Sequence, residues 1–384
     1  MLRFITAGES HGPALTTVID GLPAGVPLDI ELINRDLARR QKGFGRGGRM
    51  LIEQDKAEIT AGVRFGQTMG SPVTLVIHNR DWENWQDRMA PAGSPCGPAV
   101  TAPRPGHADL TGVLKYDRQD VRDILERASA RETAARVAAG AVMKQLLSAA
   151  GIQILAHVTN IGGVQAAAAR PAFAALQAGV LASELSCFDT KAEAAMKAAI
   201  LTAREQGDSL GGIFEVLAVG VLPGLGSHVQ WDRRLDTKLA AALMSIQAIK
   251  GVEVGAGFAY AGLPGSKAHD EIYYDPARGY YRQTNNAGGL EGGMSNGETI
   301  VLRAVMKPIP TLMTPLASVD IVSKAPLQAN TERSDVCAVT AAAVVGEAMA
   351  AIVLTEVLLE KFGNDNLPDL SAAISRYRQR LSGR

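Results

Sequence analysis

Three segments of the chain each occur twice, in the same order, and this repetition restricts the fold more than any single motif does. GESHGPALTTVIDGLP at residues 8–23 aligns with GDSLGGIFEVLAVGVLP at 207–223. GQTMGSPVTLVI at 66–77 aligns with GMSNGETIVLRA at 293–304, and ERASARETAARVAAG at 126–140 with ERSDVCAVTAAAVVG at 332–346. Each copy reads as a glycine-bracketed turn, a strand, an excursion, a second glycine turn running into a β-branched strand, and a long helix rich in Ala and Gly. Small side chains let two helices approach closely, so the two long helices are expected to pack together at the centre with sheet outside them. The fold class expected is α+β: a single-domain β-α-β sandwich over residues 1–384, with central helices between antiparallel sheets and an internal pseudo-twofold duplication. Its halves would run over approximately residues 1–150 and 200–360. Two independent α+β domains would need a linker, and no Pro/Ser-rich segment separates the halves.

The first copy carries about twenty more residues than the second between its second and third segments, and a long polar, Pro/Gly-containing excursion inside a compact domain is usually functional or disordered. This one holds Arg104 and His107. Over the whole chain charge is balanced, 39 basic against 39 acidic residues, so no overall field favours nucleic acid or an anionic membrane and any basic site must be local. Apolar residues make up 47%, ample for a large core. Cys96, Cys187 and Cys337 are too scattered for a disulfide framework or a paired-cysteine zinc site, which fits a reducing compartment. The first residues run straight into a motif, leaving no room for a secretion signal. The apolar stretch after Asp335 is interrupted by Thr340 and Glu347 and reads as a buried helix, shorter than a bilayer span, in a cytoplasmic protein.

GESHG matches the nucleophile elbow of serine hydrolases, with His11 beside Ser10. An elbow needs a preceding core strand and an earlier oxyanion loop, yet only seven residues precede Gly8, and the second copy keeps the serine while replacing the histidine by Leu210. The pattern therefore reads as a turn scaffold. LARRQKGFGRGGRM at 37–50 interleaves Arg39, Arg40, Lys42, Arg46 and Arg49 with glycines, which suits an anion that needs close backbone approach and two-pronged guanidinium contacts. In ERASARETAARVAAG, Ser129 stands in an N-cap position with Glu132 three residues on, a capping box, and Arg127 and Arg131 flank a helix start that favours anions. Asp335 occupies the equivalent cap of the second copy beside Arg333. His11 and His107 lie in glycine-containing turns with polar neighbours and could form a proton-transfer pair, whereas His78, His157, His228 and His269 read as surface or packing residues. No His/Cys/carboxylate set has metal-ligand spacing, and no dinucleotide-binding glycine fingerprint follows a strand.

Taken together, GESHGPALTTVIDGLPAG, RRQKGFGRGGRM, GQTMGSPVTLVIHNRD, PRPGHADL, ERASARETAARVAAGA, GGLEGGMSNGE, KPIPT and RSDVCAVTAAAVV resemble the chorismate synthase family from end to end. The resemblance implies a homotetramer that converts 5-enolpyruvylshikimate 3-phosphate into chorismate and phosphate by 1,4-anti elimination, using reduced FMN with no net redox change. The reduced flavin would lend an electron transiently as phosphate leaves C3 and a hydrogen leaves C6. Matched residue by residue, it implies that Arg40, Arg46, Arg49, Arg104, Arg131 and Arg333 line the pocket. Ser10 would position the phosphate, His11 protonate it as it departs, His107 steady the flavin near N1, and Asp335 assist proton removal near N5. Flavin contacts are implied at Arg127, Ala128, Ser129, Gln247, Ala248, Gly292, Lys307, Pro308, Ile309, Pro310, Thr311 and Arg333, and NADP contacts at Arg40 and Arg46. Some members reduce their flavin with NADPH and others rely on an outside reductant. Two readings outside this one are a non-catalytic anion-binding protein of the same fold and a flavin oxidoreductase with net hydride transfer.

Overall fold

The computed structural model describes residues 1–46, 53–277, 279–332 and 334–382. Alternation builds the first sheet: in β2 (Ala14–Asp20), Leu15, Thr17 and Ile19 turn inward while their neighbours face out. β2 pairs antiparallel with β1 (Arg3–Ala7) on one side and β4 (Val73–His78) on the other, and β3 (Ala57–Ala61) completes the order β1-β2-β4-β3. The second sheet is built on β5 (Gln153–Ile161), β6 (Gly212–Val219), β7 (Ile249–Val254) and β8 (Ile300–Met306). Its order is β7-β8-β6-β5, with the two-residue strand Val164–Gln165 beyond β5. Read from β5, that is the strand order of the first sheet.

Between the sheets lies a helix layer. α1 (Ile30–Gln41) and α4 (Thr133–Ala149) cover the first sheet, and α7 (Leu235–Met244) and α8 (Val339–Phe362) cover the second. α4 and α8 pack directly on each other, and the small residues explain how closely. A Cβ added at Gly140 of α4 would come within 2.4 Å of the Ala348 Cβ and 2.5 Å of its Cα. Gly140→Val is therefore expected to overpack this crossing and cost about 1–3 kcal/mol or more. Thermal unfolding checks it, and an unchanged midpoint would mean the helices can separate freely.

α8 has the length and composition to cross a membrane, contrary to the reading of its sequence as too short. Burial decides the matter: 94% of its apolar window lies inside the protein, so it is the core helix. Its one buried acid, Glu347, accepts from both guanidinium nitrogens of Arg39 at 2.8 and 2.9 Å, from Lys144, and from the Ala156 N–H at 2.8 Å. Arg39 also reaches Asp36 at 3.0 Å. The arginine-rich segment is thus divided: Arg39 faces the core network rather than an anion site, because it lies on the buried side of α1 one turn after Asp36.

The remaining helices longer than one turn are peripheral: α2 (Asp109–Tyr116) and α3 (Arg122–Ala128) precede α4, α5 (Phe173–Ala182) and α6 (Thr190–Glu205) follow β5, and α9 (Leu367–Ser382) follows α8; a single turn, Gly265–Ala268, follows β7.

Candidate active site

The GESHG turn is closed by its own backbone. Gly8 has φ +105, and a Cβ there would lie 2.2 Å from the Ala14 carbonyl, so only glycine allows β1 to hand over to β2 so tightly. Asn79, just past the end of β4, clasps the turn because β4 is registered on β2 with His78 opposite Ala14. Its amide donates to the carbonyls of Gly12 at 2.7 Å and Glu9 at 3.2 Å, while its Oδ1 accepts from Arg131 at 2.7 and 3.0 Å. Arg131 in turn binds both Asp55 oxygens at 2.6 and 2.7 Å. Arg40 donates to Thr133 Oγ1 and the Ala130 carbonyl, each at 2.9 Å. Burial pushes its guanidinium down to about 10, Asp55 opposing, so it stays charged at neutral pH.

His11 is 8% exposed and held on three sides. Its backbone N–H donates to Glu126 Oε2 at 2.8 Å, its Nδ1 lies 2.9 Å from Glu126 Oε1, and its ring stacks on Trp85 with centroids 3.9 Å apart. Burial pushes the Glu126 carboxyl up, but hydrogen bonds and charge from His11, with Arg122 at 2.8 Å, prevail and hold it below its ordinary value. Ser10 Oγ lies 3.1 Å from Ser129 Oγ. The first motif and the start of the third helical segment, over a hundred residues apart, are therefore one structure.

That segment differs from the capping box its sequence suggested. α3 ends at Ala128, and the Ser129 N–H is already satisfied by the Leu125 carbonyl. Ser129 then caps a short 3-10 turn, Ala130–Glu132, accepting from the Arg131 N–H at 3.3 Å. Glu132 does not reach back; it takes Arg136 at 2.8 Å and Gln247 at 2.6 Å. Arg127, at the C-terminal end of α3, grips the carbonyls of Gly8 and Thr6 at 3.0 and 2.9 Å. Asp335, by contrast, is not a cap. α8 begins at Val339 with Ala338 before it, because the Leu210 N–H bonds the Val336 carbonyl and draws this stretch out along the second glycine turn. Asp335 pairs with Arg46 at 3.0 Å.

A second cluster forms around PRPGHADL. Arg104 donates to Asp109 at 2.8 Å and to Thr311 Oγ1 at 3.0 Å, and His107 Nδ1 contacts Asp109. Nδ1 cannot both donate to Asp109 and accept from Arg104; the carboxylate is the stronger partner, so the Nδ1 proton points there. Burial alone would raise the Asp109 carboxyl, but His107 and Arg104 outweigh it and hold it well below the usual carboxylate range. Lys307 reaches the Gly106 carbonyl through its ammonium and the Ala248 carbonyl through its N–H at 2.9 Å. Burial, and then the charge of Lys250, lowers that ammonium.

The two clusters are joined by the path Arg131, Glu132, Gln247, Ala248, Lys307. Ala248 has φ +66, a left-handed conformation unusual for a residue with a side chain, stored where the path turns. In the KPIPT stretch, Pro308 and Pro310 flank Ile309, whose carbonyl takes the Ser209 hydroxyl at 2.7 Å. Gly292 sits in a small hairpin turn beside the start of α7, where the Leu235 N–H donates to the Gly293 carbonyl at 2.8 Å. Arg49 and Arg333 lie outside the described residues. Asn79, Trp85, Arg122, Glu126 and Asp55 were not singled out from the sequence, and Asp109 only as a polar neighbour of His107. A tryptophan in the polar excursion and an asparagine directly after a strand are signals that could have found two of them, whereas nothing local marks Asp55.

The chorismate synthase family model matches residues 2–359. A chorismate synthase from Moorella thermoacetica is 61% identical over 382 residues, covering 99% of both chains. One from Geotalea uraniireducens is 57% identical over 386 residues, covering 98% of both. A crystal structure of a chorismate synthase superposes with a TM-score of 0.81 at 43% identity, covering 100% of this chain and 99% of that one.

Proposed function

The chain belongs to the chorismate synthase family, carbon-oxygen lyases acting on phosphate, and from that premise we propose how its residues divide the work of eliminating phosphate from 5-enolpyruvylshikimate 3-phosphate. The observation that carries the reading is the joining of GESHG, PRPGHADL and KPIPT, segments scattered through the chain, into one connected cationic site. A phosphate and two carboxylates on the substrate call for several cations placed in advance. Arg46, Arg104, Arg131 and Lys307 supply them here, with Arg49 and Arg333 assigned to the same task from their motifs. Arg40 steadies Asp55 and the Ala130 turn beneath them.

His11 gives a proton to the departing phosphate. With Nδ1 on Glu126, the proton to be given is the one on Nε2. Ser10, beside Ser129, orients the phosphate, and Trp85 keeps water from the imidazole. Asp335, paired with Arg46 at 3.0 Å, takes part in removing the C6 hydrogen.

The site suits FMN. Buried Gln247 Oε1 and Glu132 Oε2 each lack a hydrogen-bond partner and are acceptors for the N–H and hydroxyl donors of a flavin. His107, Gln247, Ala248 and the stretch Lys307–Thr311 would hold it, with Arg127, Ala128, Ser129 and Gly292 at its margins. The chemistry FMN would supply there, in its reduced form, is transient electron donation to C3–O cleavage with no net oxidation. NADPH as reductant through Arg40 and Arg46, a homotetramer, and a cytoplasmic setting extend the same reading. So does an internal duplication within a single domain, supported by the matching strand orders.

Strictly anaerobic incubation with chemically reduced FMN tests the activity. Phosphate is expected to be released from 5-enolpyruvylshikimate 3-phosphate without stoichiometric NADPH loss. No release would overturn the proposal, and stoichiometric NADPH loss would point to net hydride transfer instead.

A further inference from the structure

Glu126 makes more contacts to the His11 loop than a structural acid needs. It is 3% exposed, and its carboxylate receives the His11 N–H at 2.8 Å, the His11 ring Nδ1 at 2.9 and 3.0 Å, and Arg122 at 2.8 Å. Its backbone carbonyl receives the Ser10 N–H at 2.9 Å, so one residue fixes both the position of the loop and the rotation of the ring. The opposite constraint is Trp85, stacked at an interplanar angle of 26° and itself faced by Arg122 at 4.9 Å and Arg88 at 5.7 Å. A ring clamped on one edge by a carboxylate and on one face by an indole has little freedom to rotate or to exchange tautomers.

We propose that Glu126 is a positioning residue for the phosphate elimination: its carboxylate holds the proton of His11 on Nδ1 and aims Nε2 at the leaving group. This rests on the reading of His11 as the group that protonates phosphate. The charged groups around the loop are Glu126, on the ring itself, Arg122 from α3 and Arg88, both over the indole of Trp85, and Glu9 beside Gly12, with Glu332 beyond Arg122 at 3.5 Å. Of these, Glu126 alone bonds the ring among the described residues. When the Nε2 proton passes to the phosphate oxygen, the imidazole left behind is the neutral Nδ1–H tautomer, the form the carboxylate accepts from. The arrangement pairs a proton-transferring imidazole with an orienting carboxylate, with no covalent step on the protein.

Two readouts test it on the full-length protein. In magic-angle-spinning NMR of protein labelled with nitrogen-15 histidine, the His11 signals are identified by their loss in His11→Ala. They are expected to report protonated Nδ1 in the wild type and a mixture of tautomers in Glu126→Gln. In turnover, Glu126→Gln is expected to lower kcat by about 10- to 100-fold, the range for loss of an orienting partner, with KM changed far less. Glu126→Asp is expected to recover part of that loss. Glu126→Gln combined with His11→Ala should be no slower than His11→Ala alone. Unchanged tautomers or multiplicative losses in the double variant would overturn the role of Glu126. Wild-type turnover of His11→Ala would instead remove His11 as proton donor while leaving the tautomer result standing, so the two failures are distinguishable.

Discussion

His11→Ala is expected to lower kcat by about a hundred- to ten-thousand-fold, the range for loss of a positioned general acid. The ring is 8% exposed, stacks on Trp85 and has its Nδ1 on Glu126, so its position is set before substrate arrives. Truncation removes the proton donor while leaving the cations around Arg104 and Lys307 in place, since neither contacts His11. The loss should therefore fall on kcat with KM changed little, because protonation of the leaving group matters only as the bond breaks. Steady-state kinetics under anaerobic conditions with reduced FMN measures it. Turnover at the wild-type rate would take His11 out of the chemistry.

The largest stability effect is expected inside the helix layer. Glu347→Ala should destabilise the protein by about 3–5 kcal/mol, the cost of removing one partner from a buried ion network. Arg39 and Lys144 would be left with Asp36 alone, two cations against one anion, and the Ala156 N–H would lose its acceptor. The same network gives a sign to acid denaturation. Burial pushes the Glu347 carboxyl up, but Arg39 and Lys144 overcome it and hold the group below its ordinary 4.5. The stabilisation is thus complete above that value and is lost as pH falls below it toward the folded-state value. Chemical denaturation at neutral pH and at acid pH checks both statements. A change below about 1 kcal/mol, the scale of an exposed pair, would mean that the network does not act as a buried one.

The legible parts of this protein were those carried by local pattern. Alternating apolar residues in ALTTVID and VTLVIH announced strands, and runs of Ala and Gly announced helices able to pack closely; both follow from the period of the element and the size of the side chain. The glycine turn around His11 was legible for the same reason. Capping was less so. Ser129 is an N-cap as its sequence suggested, but of a 3-10 turn and without Glu132 closing the box, because its own N–H is committed to the end of α3; Asp335 is no cap, because the backbone beside it is committed to the Leu210 bridge. A cap is defined by which N–H groups lack a partner, and that depends on the preceding element as much as on the residue itself.

Sequence by itself determined several strands and the two long helices, the family resemblance and the residue types able to bind anions or move protons. Which of those residues meet was decided only by tertiary structure. Arg39 and Arg40 are adjacent on α1, but successive helical residues diverge by about 100°, so one enters the Glu347 network and the other reaches Asp55 and the Ala130 turn. His11 and Glu126 are separated by 115 residues, and no local pattern could pair them. They meet because β4, registered on β2, carries Asn79 to the glycine turn and to Arg131, fixing the end of α3 beside His11. Chemistry here depends on contacts of about 3 Å, and distances on that scale are properties of packing, whereas sequence spacing constrains only neighbours along the chain.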